Sequence, residues 1–332
     1  MHAQATIRDE TAGAVPAEGF EMPAEPVEIE PPDLSPWRRG NAGVDYVHTM
    51  TCDRPGPHVM VSAIVHGNEL CGAIVLDELL RAGVRPSSGR LTLAFMNVAA
   101  YERFDPEHPV LSRYVDEDFN RLWAREVLES RRDSVELRRA RALRPVLDGV
   151  DFLLDLHSMQ YSSAPLALSG AARKGRDFAR ALGLSAHIVR DAGHAAGPRM
   201  RDYAAFADAA SPRAALLLEC GQHWKRETVA RARRAALRFL DHFGVELPEP
   251  PPPPDGAAAR LIEVTEPITV RSHRFRFTAP YRGMEIIDKA GTVIGFDGDT
   301  AVATPYDECV LVMPSHRASR GTTAVRLGRF VG

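Results

Sequence analysis

The chain has 332 residues, of which 45% are hydrophobic and 26% charged, with a formal net charge of -3. That is ordinary globular composition, long enough for one large core and a smaller second unit. The near-neutral balance excludes a basic nucleic-acid binder and a protein drawn to anionic membranes by charge. No run of about 18 apolar residues offers a membrane span.

Residues 1–40 are rich in Ala, Glu and Pro and read as a loosely draped arm. They lack the basic start and apolar stretch of a secretory leader. Cys52, Cys71, Cys220 and Cys309 show no CxxC spacing and predict free thiols. The expected location is therefore the cytoplasm. From 41 to 246 strand-like and helix-like runs alternate, which predicts one domain. Residues 58–65 form an apolar run that predicts a strand covered on both faces. Residues 69–82 place Ile74, Leu76, Leu79 and Leu80 along one helical stripe. Strands are predicted at 91–97, 151–156, 186–190 and 214–218, and helices at 135–147, 173–182 and 226–243. This alternation predicts an α/β fold whose mostly parallel sheet is flanked by helices. The proline run at 247–256 reads as a stiff linker. Beyond it, at 257–332, short strand-like runs separated by Gly and Pro predict a small all-β domain.

Four segments carry chemistry. His66-Gly67-Asn68-Glu69 stands where a buried strand gives way to a helix, the carboxyl edge at which open α/β sheets bind ligands. Gly67 lets the backbone turn, so His66 and Glu69 can aim at one point. His157, in Asp155-Leu156-His157-Ser158, ends the next buried strand. Asp155 shares its strand face and could orient the site. Two His and one Glu suit zinc and leave a position open for water, although the donors admit other divalent metals. Taken singly, HxxE also fits a helix-capping turn, and a strand-end His fits a hydrogen-bonded core residue. Glu219 terminates the apolar strand Leu216-Leu217-Leu218. A carboxyl there is costly unless paired or functional, and burial raises its pKa towards the range useful for proton transfer. The fourth segment, 113–121, packs Arg113, Asn120 and Arg121 among three acids. Arg forks suit carboxylates, while an ion-paired surface loop is the plainer alternative. No phosphate-binding glycine motif or G-x-S-x-G elbow is present, which argues against nucleotide and serine-hydrolase chemistry. His223, four residues after Glu219, is a candidate pocket-lining side chain.

These four motifs, in this order, resemble the succinylglutamate desuccinylase/aspartoacylase family, relatives of the zinc carboxypeptidases, over residues 40–332. The resemblance implies a carboxypeptidase-like domain with a C-terminal β domain beside the active-site mouth. It implies one zinc held by His66, Glu69 and His157, and Glu219 as general base and then general acid. It places Arg113, Asn120 and Arg121 towards the substrate, with Arg121 on a carboxylate. The family's Tyr and Arg shortly before the catalytic Glu are not reproduced at that spacing; Arg201, in Arg199-Met200-Arg201-Asp202-Tyr203, is the candidate here. The implied chemistry is hydrolysis of an N-acyl amino acid bearing a carboxylate. A metallocarboxypeptidase, an amidase or esterase on a larger molecule, and a zinc-binding protein without catalysis remain alternatives. A homo-oligomer is compatible with the sequence, and neither nucleic acid nor membrane is an expected partner.

Overall fold

The structure is a computed structural model, and it describes residues 22–251, 253 and 259–331. Residues 1–21 of the arm, and 252 and 254–258 at the linker, lie outside the described residues. The catalytic part runs β1 (Val47–Thr51), β2 (His58–Ala63), α1 (Leu70–Ala82), β3 (Arg85–Pro86), β4 (Arg90–Phe95), α2 (Val98–Tyr101), α3 (Arg125–Leu128) and α4 (Val135–Leu147). It continues with β5 (Phe152–Met159), β6 (Leu166–Leu168), α5 (Arg173–Leu182), β7 (His187–Arg190), β8 (Ala214–Gln222), α6 (Arg226–His242) and β9 (Val245–Glu246).

Local chemistry sets the helix ends. Ser134 caps α4 by accepting from the Leu137 N–H at 3.0 Å, which satisfies an otherwise orphaned donor. Gly83 ends α1 in the left-handed conformation at φ 68°, where glycine carries no Cβ penalty. The α1 residues Leu70, Val75, Leu76 and Leu79 and the α6 residues Ala232, Leu237, Phe239 and Leu240 bury one sheet face with Val59, Val61 and Ala63 of β2. The α4 residues Leu137, Ala140, Leu143 and Leu147 cover the other face with Met60, Ala94, Leu153 and Ala215. The two-residue alternation of β2 is therefore real, but both sets are apolar because helices cover both faces.

The tail adds β10 (Arg260–Thr269), β11 (Phe275–Phe277), β12 (Glu285–Ile287), β13 (Val293–Asp297), β14 (Thr300–Ala303), β15 (Cys309–Val312) and β16 (Thr323–Val331). One eleven-stranded sheet runs β1-β4-β2-β5-β8-β6-β7-β10-β16-β15-β12, with β11-β13-β14 as a separate three-stranded sheet. The central strands β4, β2, β5 and β8 are mutually parallel. β6 then runs antiparallel to β8, and β7 and β10 follow β6 in parallel. The tail is thus hydrogen-bonded directly onto the edge of the catalytic sheet through β7 and β10. The fold is the expected helix-flanked α/β sheet with antiparallel strands at its C-terminal side.

Two strands run further than their sequence suggests. β5 continues past His157 to Met159, and β8 past Glu219 to Gln222. These residues are therefore inside strands, not at their ends, because the β5–β8 ladder places His157 opposite Glu219 before a bulge interrupts it. The described part of the arm is pinned rather than loose. Glu28 N–H donates to Trp224 O at 3.0 Å, Tyr101 OH donates to Pro32 O at 2.6 Å, and Leu34 is buried in the core.

Candidate metal centre and active site

The turn after β2 brings the first two site residues together. Ile64 takes φ 53°, a conformation costly for a β-branched residue, and its carbonyl accepts from Asn97 N–H at 3.0 Å. Gly67 N–H donates to Arg113 O at 3.1 Å. A Cβ on Gly67 would lie 2.4 Å from the backbone of both Ala100 and Ser112, so only glycine lets the turn seat against the 112–113 segment. Gly67→Ala should cost about 1–3 kcal/mol by forcing backbone apart; urea unfolding of metal-free protein would measure it as a lowered midpoint.

Glu69, the N-cap residue of α1, is the hub. Its Oε1 lies 2.6 Å from His66 Nδ1, and its Oε2 lies 2.9 Å from His157 Nδ1 and accepts from Ser158 N–H at 3.1 Å. The far nitrogen of each imidazole meets a second carboxylate. His66 Nε2 is 3.0 Å from Asp118 Oδ1, and His157 Nε2 is 2.9 Å from Asp155 Oδ2. Ser62 OH completes Asp155 by donating to Oδ1 at 2.7 Å. All three hub residues are at most 4% exposed. One ligand atom from each of His66, Glu69 and His157 falls within 4.8 Å of the others.

The protonation chemistry of this cluster tests whether a metal fits. Both Nδ1 atoms face Glu69, while Nε2 of His157 faces Asp155 and Nε2 of His66 faces both Asp118 and the Arg113 guanidinium. With a carboxylate at each nitrogen, the His157 ring can donate both ways only when it carries two protons. Consistent with that, Asp155 and Glu69 push the His157 pKa well up against the opposing effect of burial. Burial alone would raise Glu69, but His157 and His66 hold it well below the usual carboxylate range. A divalent cation would sit on the Nδ1 side of both rings beside the Glu69 carboxylate, and carboxylate–histidine–metal pairs of this kind fix the ring that ligates. The donor set therefore fits zinc.

Glu219 stands across the ladder from His157, 5% exposed, with its Oε2 buried and without a partner. Burial, followed by the Glu69 charge, pushes its pKa up to about 8. Arg113 Nη2 donates to Asp118 Oδ2 at 3.0 Å and lies 2.9 Å from His66 Nε2. Ser158 Oγ pairs with His223 Nδ1 at 2.8 Å, and burial drops the His223 pKa to about 3. His223 is thus a buried neutral neighbour of the centre.

The remaining expected residues divide. Asn120 is buried, but its Oδ1 accepts Met200 N–H at 2.8 Å, anchoring the 199–203 segment. Arg121 points its Nη2 at His194 Nε2 at 3.1 Å and lies 4.0 Å from Asp118 Oδ2. Arg201 is not brought to the group. Its buried guanidinium donates to Ser169 O at 3.0 Å and Ala215 O at 2.9 Å and pairs with Asp202. Ala215 lies four residues before Glu219 on β8, so this arginine braces the backbone away from the metal cluster. Arg199 and Arg326 are the arginines that join the Arg121 neighbourhood. Arg199 sits two residues before Arg201. Arg326 lies on β16, a strand not predicted, where a single Arg inside the apolar run Ala324–Leu327 was the available signal.

No helix among the described residues is long and apolar enough to cross a membrane. Among solved structures, a succinylglutamate desuccinylase/aspartoacylase from Rhodobacter sphaeroides is 21% identical, with 86% of this chain and 89% of that chain covered at TM-score 0.59. Succinylglutamate desuccinylase from Vibrio cholerae is 18% identical, with coverages of 87% and 86% and TM-score 0.63. The product-bound ectoine utilization protein EutE (DoeB) from Ruegeria pomeroyi is 16% identical, with coverages of 85% and 88% and TM-score 0.58. These likenesses establish the fold. None of the curated proteins matches. Residues 55–243, more than half of the chain, match the succinylglutamate desuccinylase/aspartoacylase catalytic domain, and the chain belongs to that family of hydrolytic enzymes.

Proposed function

We propose that this protein is a zinc-dependent hydrolase that cleaves the amide bond of an N-acyl amino acid to a free amino acid and a carboxylate. The observation that carries the reading is the pair of carboxylate-bound histidines converging on Glu69, beside Glu219, whose buried Oε2 has no hydrogen-bond partner among the described residues.

His66, Glu69 and His157 would hold the zinc. When bound, it would act as a Lewis acid and make water acidic near neutral pH. Glu219 takes the proton from the attacking water as the carbon–oxygen bond forms. Arg113 donates to the oxyanion of the tetrahedral species. Glu219 then returns its proton to the departing nitrogen as the carbon–nitrogen bond breaks. Arg121 supplies positive charge for a substrate carboxylate, while Asn120 fixes the adjoining segment through Met200. Asp155 acts through His157, holding the ring with Nδ1 towards Glu69, where it would be free to ligate. Asp155→Asn should weaken zinc about 10–100-fold, read by competition with a chromophoric chelator at constant pH.

A panel of N-acyl amino acids, assayed for released amine, tests the reaction. Release from at least one acidic member supports the reading. Cleavage of short peptides or esters with no N-acyl amino acid turned over would contradict it.

A further inference from the structure

Three buried or half-buried guanidiniums meet at one edge of the proposed site, and their partners are unequal. Arg199 spends its donors on acids, giving Nη1–H to Asp191 Oδ2 at 2.9 Å and Nε–H to Asp202 Oδ2 at 2.7 Å. Arg326 is 3% exposed, and its Nε–H donates to the same Asp191 oxygen at 2.9 Å. Its Nη2 instead faces His194, 3.1 Å from Nδ1 and closer still to Nε2. Arg121 Nη2 faces that same Nε2 at 3.1 Å.

Two cations therefore converge on one neutral ring. A neutral imidazole offers a single lone pair, so it cannot satisfy both donors. Its Nδ1 has the Thr323 hydroxyl at 3.4 Å as a further neighbour, and in either tautomer one lone pair faces the two guanidiniums. Burial and the surrounding guanidiniums hold the His194 pKa far below its usual value, so the ring adds no third charge. Asp118 cannot serve Arg121 fully, since it lies 4.0 Å away and is already paired with Arg113 at 3.0 Å. Among the described residues Arg326 has one ion pair, to Asp191. Two largely buried guanidiniums with a neutral imidazole and no anion between them among the described residues are an anion site held by a weak acceptor.

We propose that Arg121 and Arg326 form a two-guanidinium clamp for a substrate carboxylate remote from the scissile carbonyl, with His194 occupying the clamp until the carboxylate displaces it. This deepens the hydrolase reading and rests on it for the position of the scissile bond. A carboxylate has two oxygens to offer two forks, where the ring has one lone pair. His194 sits on a segment whose Gly193 and Gly197 take φ 114° and 134°, conformations open to glycine. The β16 strand, by supplying Arg326, makes the C-terminal part a determinant of specificity. The substrate class is N-acyl amino acids that carry a free carboxylate in either half beyond the bond cleaved.

The test is calorimetric binding of succinate and glutarate, with succinamide as the uncharged control, to zinc-loaded full-length protein. Wild type should bind a dicarboxylate, and Arg326→Gln should weaken it about tenfold or more without changing succinamide binding or zinc content. Arg326→Lys should fall between, keeping the charge without the fork. His194→Ala should bind the dicarboxylate more tightly, because the competing side chain is gone. If Arg326→Gln misfolds, the lysine and His194 variants decide the matter. Unchanged dicarboxylate affinity in a folded Arg326 variant, or weaker binding in His194→Ala, overturns the clamp. Hydrolysis of N-acyl amino acids is measured on the same samples. Arg326-dependent binding without hydrolysis supports the clamp and counts against the hydrolase reading. Hydrolysis with Arg326-independent binding overturns the clamp alone.

Discussion

Glu219→Gln is expected to keep the zinc and the fold while lowering kcat by about 10²–10⁴-fold, the usual contribution of a positioned general acid–base. The substitution is nearly isosteric, and the Glu219 Oε2 it replaces makes no hydrogen bond that would be lost. The pH profile sharpens the test. As base, Glu219 must be ionised, so the rate climbs as pH rises through its pKa. Burial and the Glu69 charge set that pKa at about 8 in the metal-free site. A bound dication favours the ionised form and moves the limb to lower pH. Glutamine cannot titrate, so this acid limb should vanish in the variant. A variant with wild-type kcat and an unchanged acid limb would remove Glu219 from the chemistry.

His157→Ala should abolish both metal binding and turnover. It removes one of three ligands and strips Glu69 and Asp155 of the ring between them. Asp155 is fully buried, and Ser62 alone then remains to it. Leaving a buried carboxylate without its partner costs about 3–5 kcal/mol, so the variant should also unfold at lower temperature than metal-free wild type. Circular dichroism separates the two effects: a folded variant at low temperature, with zinc absent by mass spectrometry, is the expected result. A folded variant that still holds zinc at wild-type affinity would exclude His157 as a ligand.

The convergence of His66, Glu69 and His157 was legible because its parts are local. His66 and Glu69 are three residues apart at a strand-to-helix turn, and Asp155 and His157 alternate along one strand. Such spacing survives in the fold because strand and helix geometry carry it. Buried strands also announce themselves when both faces are covered, as in β2 and β8. What could not be read depends on pairing between distant segments. Asp118 meets His66 across 52 positions, and nothing in 113–121 separates that acid from its neighbours. β10 joins β7 in parallel, a register set by the sheet edge and by no pattern in either strand. Arg201 was a candidate only through the family's Tyr and Arg before the catalytic Glu, whose spacing this chain does not reproduce. The neighbouring Arg199 instead turns towards that edge, while Arg201 bonds to carbonyls. Arg326 was hidden because it, together with Gly328 and Arg329, interrupts β16, which therefore shows neither the continuous apolar run of a covered strand nor the alternation of a half-exposed one.

The most direct test of the account is metal content by plasma mass spectrometry, paired with amine release from an acidic N-acyl amino acid, before and after chelation. About one zinc per chain, lost with the activity on chelation and restored with it on adding zinc, is the predicted result. Full hydrolysis by protein shown to be metal-free would contradict it.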